Sequence, residues 1–131
     1  DCADDVYAQA GITRPREQID CAELYVPFSW YEPMWLEAHH LAGPGEGWQL
    51  VESGATALDG SFPVNMSGGV LSSNPIGASG LLRFAEAALQ VRGMAGEHQV
   101  DGAKVAVAQA YGASAQYFSM WVVGASLDPF G

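Results

Sequence analysis

The chain has 131 residues, 49% of them hydrophobic, and five basic residues face fifteen acidic ones, which gives a formal charge of −10. This length and hydrophobic content predict one globular domain over 1–131 and argue against a disordered chain. The acidic excess argues against a protein that binds nucleic acid or an anionic membrane surface, and no apolar run reaches the about 20 residues that a membrane-spanning helix needs.

The first half of the chain shows a helical pattern, then a strand, then a second helical pattern. In order, it predicts a helix over 2–10, a polar turn over 13–18, a strand over 19–26, an aromatic-rich helix over 28–41 and a glycine-rich loop over 43–60. Within the loop we expect Trp48, Leu50 and Val51 to pack inward.

The second half predicts one long helix followed by two strands. The helix covers 76–91, and its apolar stripe at spacings of three and four is expected to face the core; the stripe comprises Leu81, Leu82, Phe84, Ala85 and Leu89. A polar connection over 93–102 leads to strands over 103–110 and 115–123, which are expected to form a hairpin across Gly112. This order of elements predicts an α/β fold with a mixed, mainly parallel sheet packed between helices.

The segment over 65–80 reads N-M-S-G-G-V-L-S-S-N-P-I-G-A-S-G and joins two glycine-rich turns to the start of the long helix. Glycine supplies backbone conformations that other residues avoid, and asparagine before proline is common in turns. Asn74 is therefore either a turn residue or a site residue. Asn65 is either a loop-orienting residue or a contact to a ligand or water.

These segments together resemble the C-terminal part of the thiolase superfamily. The pattern N-x-x-G-G followed by P-x-G-A-S-G is similar to the late active-site loops of thiolases, and E-L-Y-V-P-F and L-V-E-S-G-A-T-A-L-D-G occur in the same order. The chain most resembles the sterol-carrier-protein-X and lipid-transfer-protein branch. The resemblance implies a thiolase-like fold whose N-terminal half is absent here, so that one edge of the sheet is left open.

The positions that carry thiolase chemistry hold other residues in this chain. The family pattern N-E-A-F or H-D-C-F is replaced by Tyr25-Val26-Pro27-Phe28, and Asn74 stands at the histidine of the G-H-P loop. The late C-x-G loop has become Ala110-Tyr111-Gly112. Thiolysis needs a thiolate and a base, and neither remains at these positions.

The substitutions resemble those of the lipid-transfer-protein-type aldolases of bacterial steroid side-chain degradation. That resemblance implies retro-aldol cleavage of a β-hydroxyacyl-CoA: a 17-hydroxy steroid side-chain CoA ester would give a 17-keto steroid and propionyl-CoA. Tyr25, Tyr111 and Asn74 would be catalytic. Contacts to the substrate would come from Asn65, Gly68, Gly69, Gly77 and Gly112. The CoA thioester is the substrate, and no cofactor is expected. A homodimer and a partner subunit of the OB-fold/zinc-ribbon type, belonging to a hydratase, are also implied.

Two other functional classes remain open at this stage. One is a thiolase or acyl-CoA acyltransferase whose chemistry lies in the missing half, and the other is a non-catalytic acyl-CoA-binding scaffold. Tyr25 could be only a buried strand tyrosine, and Tyr111 could merely fill space.

The cysteines and histidines give no sign of a metal site. Cys2 and Cys21 match no disulfide framework or metal spacing, and no signal peptide is visible, so a cytoplasmic location is expected. His39 and His40 are adjacent on a predicted helix and are expected to face solvent or an interface.

Overall fold

The computed structural model describes residues 2–130, which form short helices around a three-stranded sheet. The helices are α1 (Cys2–Ala10), α2 (Pro15–Gln18), α3 (Tyr31–Ala38), α4 (Gly47–Glu52), α5 (Gly69–Ser72) and α6 (Ser79–Val91), with 3₁₀ turns at Ile76–Ala78 and Gly96–His98. The strands are β1 (Cys21–Leu24), β2 (Val105–Gly112) and β3 (Tyr117–Gly124). No helix of this part of the chain is long and apolar enough to cross a membrane.

The sheet is mixed, as the sequence predicts. Its order is β1-β2-β3, with β1 parallel to β2 and β2 antiparallel to β3. The predicted hairpin is confirmed, and its turn lies just beyond Gly112, which pairs with Tyr117. The outer edge of β1 meets the chain again through a parallel bridge between Ala22 and Val64. Among the described strands β3 has no neighbour on its outer side, so this edge of the sheet is open, as expected.

The central strand β2 is buried on both sides because helices cover both faces of the sheet. Val105 and Val107 face a core shared with Tyr7 of α1 and Trp35 of α3. The alternate residues of β2 point the other way, because strand side chains alternate between faces. This second face packs on α6, and the residues buried there include Cys21, Ala106, Ala108, Ala87 and Val91.

Helix α6 forms where the sequence predicts it, but its buried face is not the apolar stripe. Leu81 is 68% exposed and Phe84 is 36% exposed. The buried residues of α6 are Ser79, Arg83, Ala87, Gln90 and Val91. The expectation was wrong because the three polar residues among them, Ser79, Arg83 and Gln90, have interaction partners inside the protein. Such partners allow polar side chains to be buried.

The glycine-rich segment over 43–60 was also predicted wrongly, since it contains the helix α4. Its glycines lie mainly in the turns at either end of this helix rather than inside it. Leu50 packs against the core as expected, whereas Trp48 and Val51 are 53% and 37% exposed.

Two elements that lead into the site, β1 and α3, are shorter than predicted. β1 ends at Leu24, two residues short of the predicted end, and Pro27, just beyond it, has no N–H for a ladder. α3 begins only at Tyr31, so Pro33 falls in its first turn, where proline is tolerated. The segment over 25–30 therefore lies outside both regular elements.

Candidate active site

A cavity of about 820 Å³ opens between the carboxyl ends of β1 and β2 and the start of α6. The residues that form its polar part include Tyr25, Asn74, Tyr111, Ser114 and Ser119. The apolar part of its wall includes Phe28, Ile76, Leu81, Phe84 and Trp121. Sheets of this kind commonly bind ligands at the carboxyl ends of their parallel strands.

Tyr25 is fixed at the end of β1 by its backbone. Its N–H donates to the Gln109 carbonyl at 3.1 Å, and its own carbonyl accepts the indole N–H of Trp35 at 3.0 Å. With the main chain held on both sides, the phenol ring rests against Tyr111 with 5.2 Å between ring centroids. The Tyr25 hydroxyl donates to Oδ1 of Asn74 at 3.4 Å.

Tyr111 lies among aromatic rings near the end of β2. Its ring centroid is 5.2 Å from that of Tyr31 and 5.6 Å from that of Trp35. Loss of solvation is the main cause that raises the pKa of Tyr111 above its ordinary value, and hydrogen bonding with Tyr31 and the nearby Tyr25 phenol add to it. Tyr111 is therefore a neutral phenol and a proton donor at physiological pH.

Asn74 joins the two sides of the cavity. Its Oδ1 accepts the Ser79 hydroxyl at 2.7 Å as well as the Tyr25 hydroxyl. Both hydroxyls use the same oxygen, so the amide N–H₂ of this cavity-lining residue remains a potential hydrogen-bond donor. Two residues later, Ile76 has a φ of 42°, which is unusual and costly for a β-branched residue and is typical of strained segments at functional sites.

Only some of the residues predicted to contact the substrate reach the cavity. Gly77 and Gly112 line it, whereas Asn65, Gly68 and Gly69 do not. The Oδ1 of Asn65 accepts the Leu24 N–H at 2.7 Å, which gives Asn65 a structural role at the end of β1.

The N–H groups of the glycine pair are already used within the protein. Gly68 donates to the Asn65 carbonyl at 2.9 Å, and Gly69 donates to the Ser67 hydroxyl at 3.2 Å. They are therefore not available to bind a substrate oxygen. The Asn74 amide, which lines the cavity, is a candidate donor for that oxygen.

Sequence reasoning missed several residues of this site. Leu81 and Phe84 were expected to face the core, yet both line the cavity, and Tyr117 lines it as well. Tyr31, whose ring contacts Tyr111 behind the cavity wall, lies in the aromatic-rich segment predicted as a helix over 28–41. Leu81 and Phe84 belong to an apolar helical stripe, and such a stripe does not reveal whether it faces a core or lines a cavity.

The histidines and remaining carboxylates lie outside the cavity. His39 is buried, contrary to expectation, with its Nδ1 at 2.6 Å from the Trp35 carbonyl, whereas His40 is exposed as expected. Asp20 accepts the N–H groups of Lys104 and Val105. Residues 2–130 contain no cluster of three or more potential metal-ligating side chains.

The comparison with protein families agrees with this architecture. The model of the thiolase C-terminal domain-like family matches residues 1–125. The chain belongs to this family. The resemblance found in the sequence motifs is thereby confirmed at the level of family and fold.

Relatives of this chain include sterol carrier proteins and an acetyl-CoA acetyltransferase. Human sterol carrier protein 2 is 43% identical over 102 residues, which cover 77% of this chain and 18% of that protein. The acetyl-CoA acetyltransferase of Methanothermobacter thermautotrophicus is 40% identical over 88 residues, 66% of this chain and 23% of that enzyme. The chain thus spans less than a quarter of the length of either relative.

A solved structure described as an Ltp2-ChsH2(DUF35) aldolase has the same fold. It superposes with a TM-score of 0.77 at 22% sequence identity, over 95% of this chain and 31% of that chain. This match shows that the chain shares the fold of that structure.

Proposed function

We propose that this chain carries part of the active site of a carbon–carbon lyase that cleaves a β-hydroxyacyl-CoA by a retro-aldol reaction. One observation carries the proposal: two phenols, Tyr25 and Tyr111, meet beside the Asn74 amide in one cavity. No cysteine or histidine is among the described residues that line this cavity. The groups present can exchange protons and donate hydrogen bonds, which is what a retro-aldol cleavage requires.

The reaction balances without a covalent intermediate on the protein. The substrate hydroxyl loses its proton, and the Cα–Cβ bond breaks as the hydroxyl carbon becomes a ketone. The electron pair of that bond passes to Cα, which gives the enolate of a shortened acyl-CoA. Protonation of Cα completes the second product. One proton therefore moves from the substrate oxygen to Cα.

The two phenols can carry this proton as a relay. In our proposal the substrate hydroxyl gives its proton to Tyr25 as Tyr25 passes its own to Tyr111, and Tyr111 protonates Cα. Both tyrosines are neutral before and after the reaction, which fits the raised pKa of Tyr111. The Asn74 amide would hold the thioester oxygen while negative charge develops on it, an effect of about 3 kcal/mol per well-placed donor.

The apolar wall formed by residues such as Leu81, Phe84 and Trp121 supports a substrate with a bulky apolar group next to the cleaved bond. A 17-hydroxy steroid side-chain CoA ester, cleaved to a 17-keto steroid and propionyl-CoA, is the substrate that we propose. The aldolase named in the similar structure is a complex, and we propose likewise a homodimeric cytoplasmic protein with a partner subunit of the OB-fold/zinc-ribbon type.

The test is to measure ketone release from a β-hydroxyacyl-CoA with a tertiary hydroxyl. The full-length protein, with its candidate partner, is compared with Tyr25→Phe and Tyr111→Phe variants. Each variant loses one phenol hydroxyl of the relay, so we expect a fall in rate of about 100-fold, equivalent to about 2.7 kcal/mol of barrier.

Tyr7→Phe provides the matched control. This change also removes a phenol hydroxyl, one that donates to the His39 carbonyl at 2.8 Å in the core and lies outside the cavity. Its cleavage rate should equal that of the wild type. Absence of cleavage by the wild type, or equal rates in all three variants, would contradict the aldolase proposal. Either result would favour acyl transfer or acyl-CoA binding alone.

A further inference from the structure

A buried charged pair lies behind the cavity, between β1 and α6. The side chains of Glu23 and Arg83 are 0% and 3% exposed, and Nε of Arg83 is 3.5 Å from Oε2 of Glu23. Neither residue lines the cavity or any other described pocket. The pair is therefore outside the relay proposed above, although Glu23 lies on the strand that leads to Tyr25.

The pair is unevenly satisfied. The two carboxylate oxygens of Glu23 accept the N–H and the hydroxyl of Ser67, each at 2.9 Å. Nε and Nη1 of Arg83 are buried without a hydrogen-bond partner in the described structure. Buried donors without partners are costly, and a well-packed apolar pair commonly stabilises a fold as well as or better than a buried ion pair. Stabilisation of the fold alone therefore does not explain why a charged Glu23–Arg83 pair is buried at this position.

The spacing of the pair matches the spacing of the site. Glu23 lies on β1 two residues before Tyr25, which directly follows the strand, and two residues of extended chain span about 6.6 Å. Arg83 lies four residues after Ser79 on one side of α6, a distance of about 6 Å along a helix. The Glu23–Arg83 contact therefore forms one link between strand and helix, and the Tyr25–Asn74–Ser79 contacts form the next.

We propose that Glu23 and Arg83 are positioning residues that hold β1 and α6 at the spacing and register which place the Tyr25 hydroxyl against Asn74. Their charge attraction sets this register, whereas apolar side chains would allow the helix to slide along the strand. Ser67 extends the arrangement to the loop before α5 because it is held by the same carboxylate. The kinetic consequence of this inference rests on the proposed function, but its structural consequence does not.

The kinetic test compares Arg83→Met, Arg83→Lys and Glu23→Gln in the full-length protein with its candidate partner. We expect kcat for cleavage to fall about tenfold or more in Arg83→Met and Glu23→Gln, with KM within about twofold, because the apolar wall is unchanged. Arg83→Lys keeps the positive charge, so its kcat should be at least about threefold higher than that of Arg83→Met. The double variant Glu23→Gln/Arg83→Met leaves no unpaired buried charge, so it provides a folded test protein if a single variant unfolds.

The matched control is Gln90→Met. Gln90 is another buried polar residue of α6, but it lies near the C-terminal end of the helix, away from Arg83. Its side chain donates to the His98 carbonyl at 2.7 Å. This variant loses buried hydrogen bonds without touching the Glu23 link. Its kcat should stay within about twofold of wild type, so a kcat loss equal to that of Arg83→Met would overturn the proposal.

A readout independent of catalysis follows the position of Tyr25 itself. 3-Fluorotyrosine placed at position 25 should give one ¹⁹F resonance in the wild type and a shifted or split resonance in Arg83→Met and in the double variant. The Gln90→Met resonance should match that of the wild type. If the wild type cleaves no β-hydroxyacyl-CoA, the proposed function fails while the resonance still decides the positioning role. An unchanged resonance in every folded variant would overturn the positioning proposal.

Discussion

At the scale of single residues, Oδ1 of Asn74 accepts hydrogen bonds from two hydroxyl groups, one near in the sequence and one far away. Ser79 is five residues away and fixes the local turn, whereas Tyr25 is 49 residues away and belongs to the sheet. The turn interpretation and the site interpretation of Asn74 are therefore compatible. The same oxygen that closes the loop also contacts Tyr25 of the cavity wall.

His39 shows how burial of one side chain couples the fold to pH. Burial lowers the pKa of His39 below its ordinary value of 6.5, opposed in part by its hydrogen bond to the Trp35 carbonyl. The neutral ring is favoured in the folded protein. His39 thus contributes stability that is present above pH 6.5 and is lost as the pH falls through the lowered pKa.

We expect the free energy of unfolding of the wild type to decrease between pH 7.5 and pH 5.0, and His39→Gln to lose less over that interval. The measurement is urea unfolding at several pH values. His98→Gln is the control because the His98 side chain is 36% exposed and pairs with Glu86 at the surface. If His39→Gln follows the pH dependence of the wild type, the burial of the neutral ring is not the source of this dependence.

At the scale of secondary-structure elements, the contact between α6 and β2 depends on a missing side chain. A Cβ at Gly80 would stand 2.8 Å from Cβ of Ala110, closer than two carbon atoms pack. Gly80 therefore lets the first turn of α6 approach the strand that carries Tyr111.

Gly80→Ala is expected to lower the free energy of unfolding by about 1–3 kcal/mol because the added methyl group overpacks the contact. Ala110→Gly in the same protein removes the opposing methyl group and should restore most of the loss. Urea unfolding of the single and double variants measures both effects.

The control for this pair is Gly77→Ala, since a Cβ at Gly77 has no atom within 4 Å. Its free energy of unfolding should stay within about 0.5 kcal/mol of wild type. A double variant that is less stable than Gly80→Ala would show that the two positions do not share a steric contact.

The elements also show why the sequence predicted some features and missed others. Local pattern and the family resemblance placed Tyr25 and Tyr111 at strand ends, and the parallel pairing of β1 with β2 brings them together. The apolar pattern predicted the wrong buried face of α6 because it treats polar side chains as exposed. Arg83 is buried because it pairs with Glu23. Such a pairing joins residues far apart in the chain, which periodicity within one helix does not report.

The short helix α4 was missed for a different reason. Glycine is frequent around it, and frequent glycine normally predicts a loop. Glu37 of α3 accepts the N–H groups of Gly45 and Gly47 at 2.9 and 3.0 Å, which fixes the start of α4. This contact between two elements is tertiary and has no signature in the local sequence.

At the scale of the whole molecule, the formal charge of −10 is large for 131 residues. Like charges on a compact chain repel one another, and salt screens this repulsion over about 10 Å at 0.1 M. We expect the urea midpoint of the 131-residue chain to rise when sodium chloride is increased from 10 to 500 mM.

Asp59→Asn and Asp128→Asn together provide the comparison, because both carboxylates are exposed and the double variant carries a formal charge of −8 (−10 plus 2). Its midpoint should gain less from salt than that of wild type. Equal gains, or a midpoint that falls with salt, would show that attractive ion pairs outweigh the general repulsion.

The central place of β2 in the sheet has a consequence for the order in which the protein can assemble. β2 and β3 are neighbours in sequence, and a hairpin of this kind forms in about 1–10 μs. β1 pairs with β2 only after a long loop closes, since Tyr25 and its partner Gln109 are 84 residues apart. During synthesis the ribosome therefore releases Tyr25 long before its neighbour Tyr111. The two phenols can meet only when nearly all of this chain has emerged.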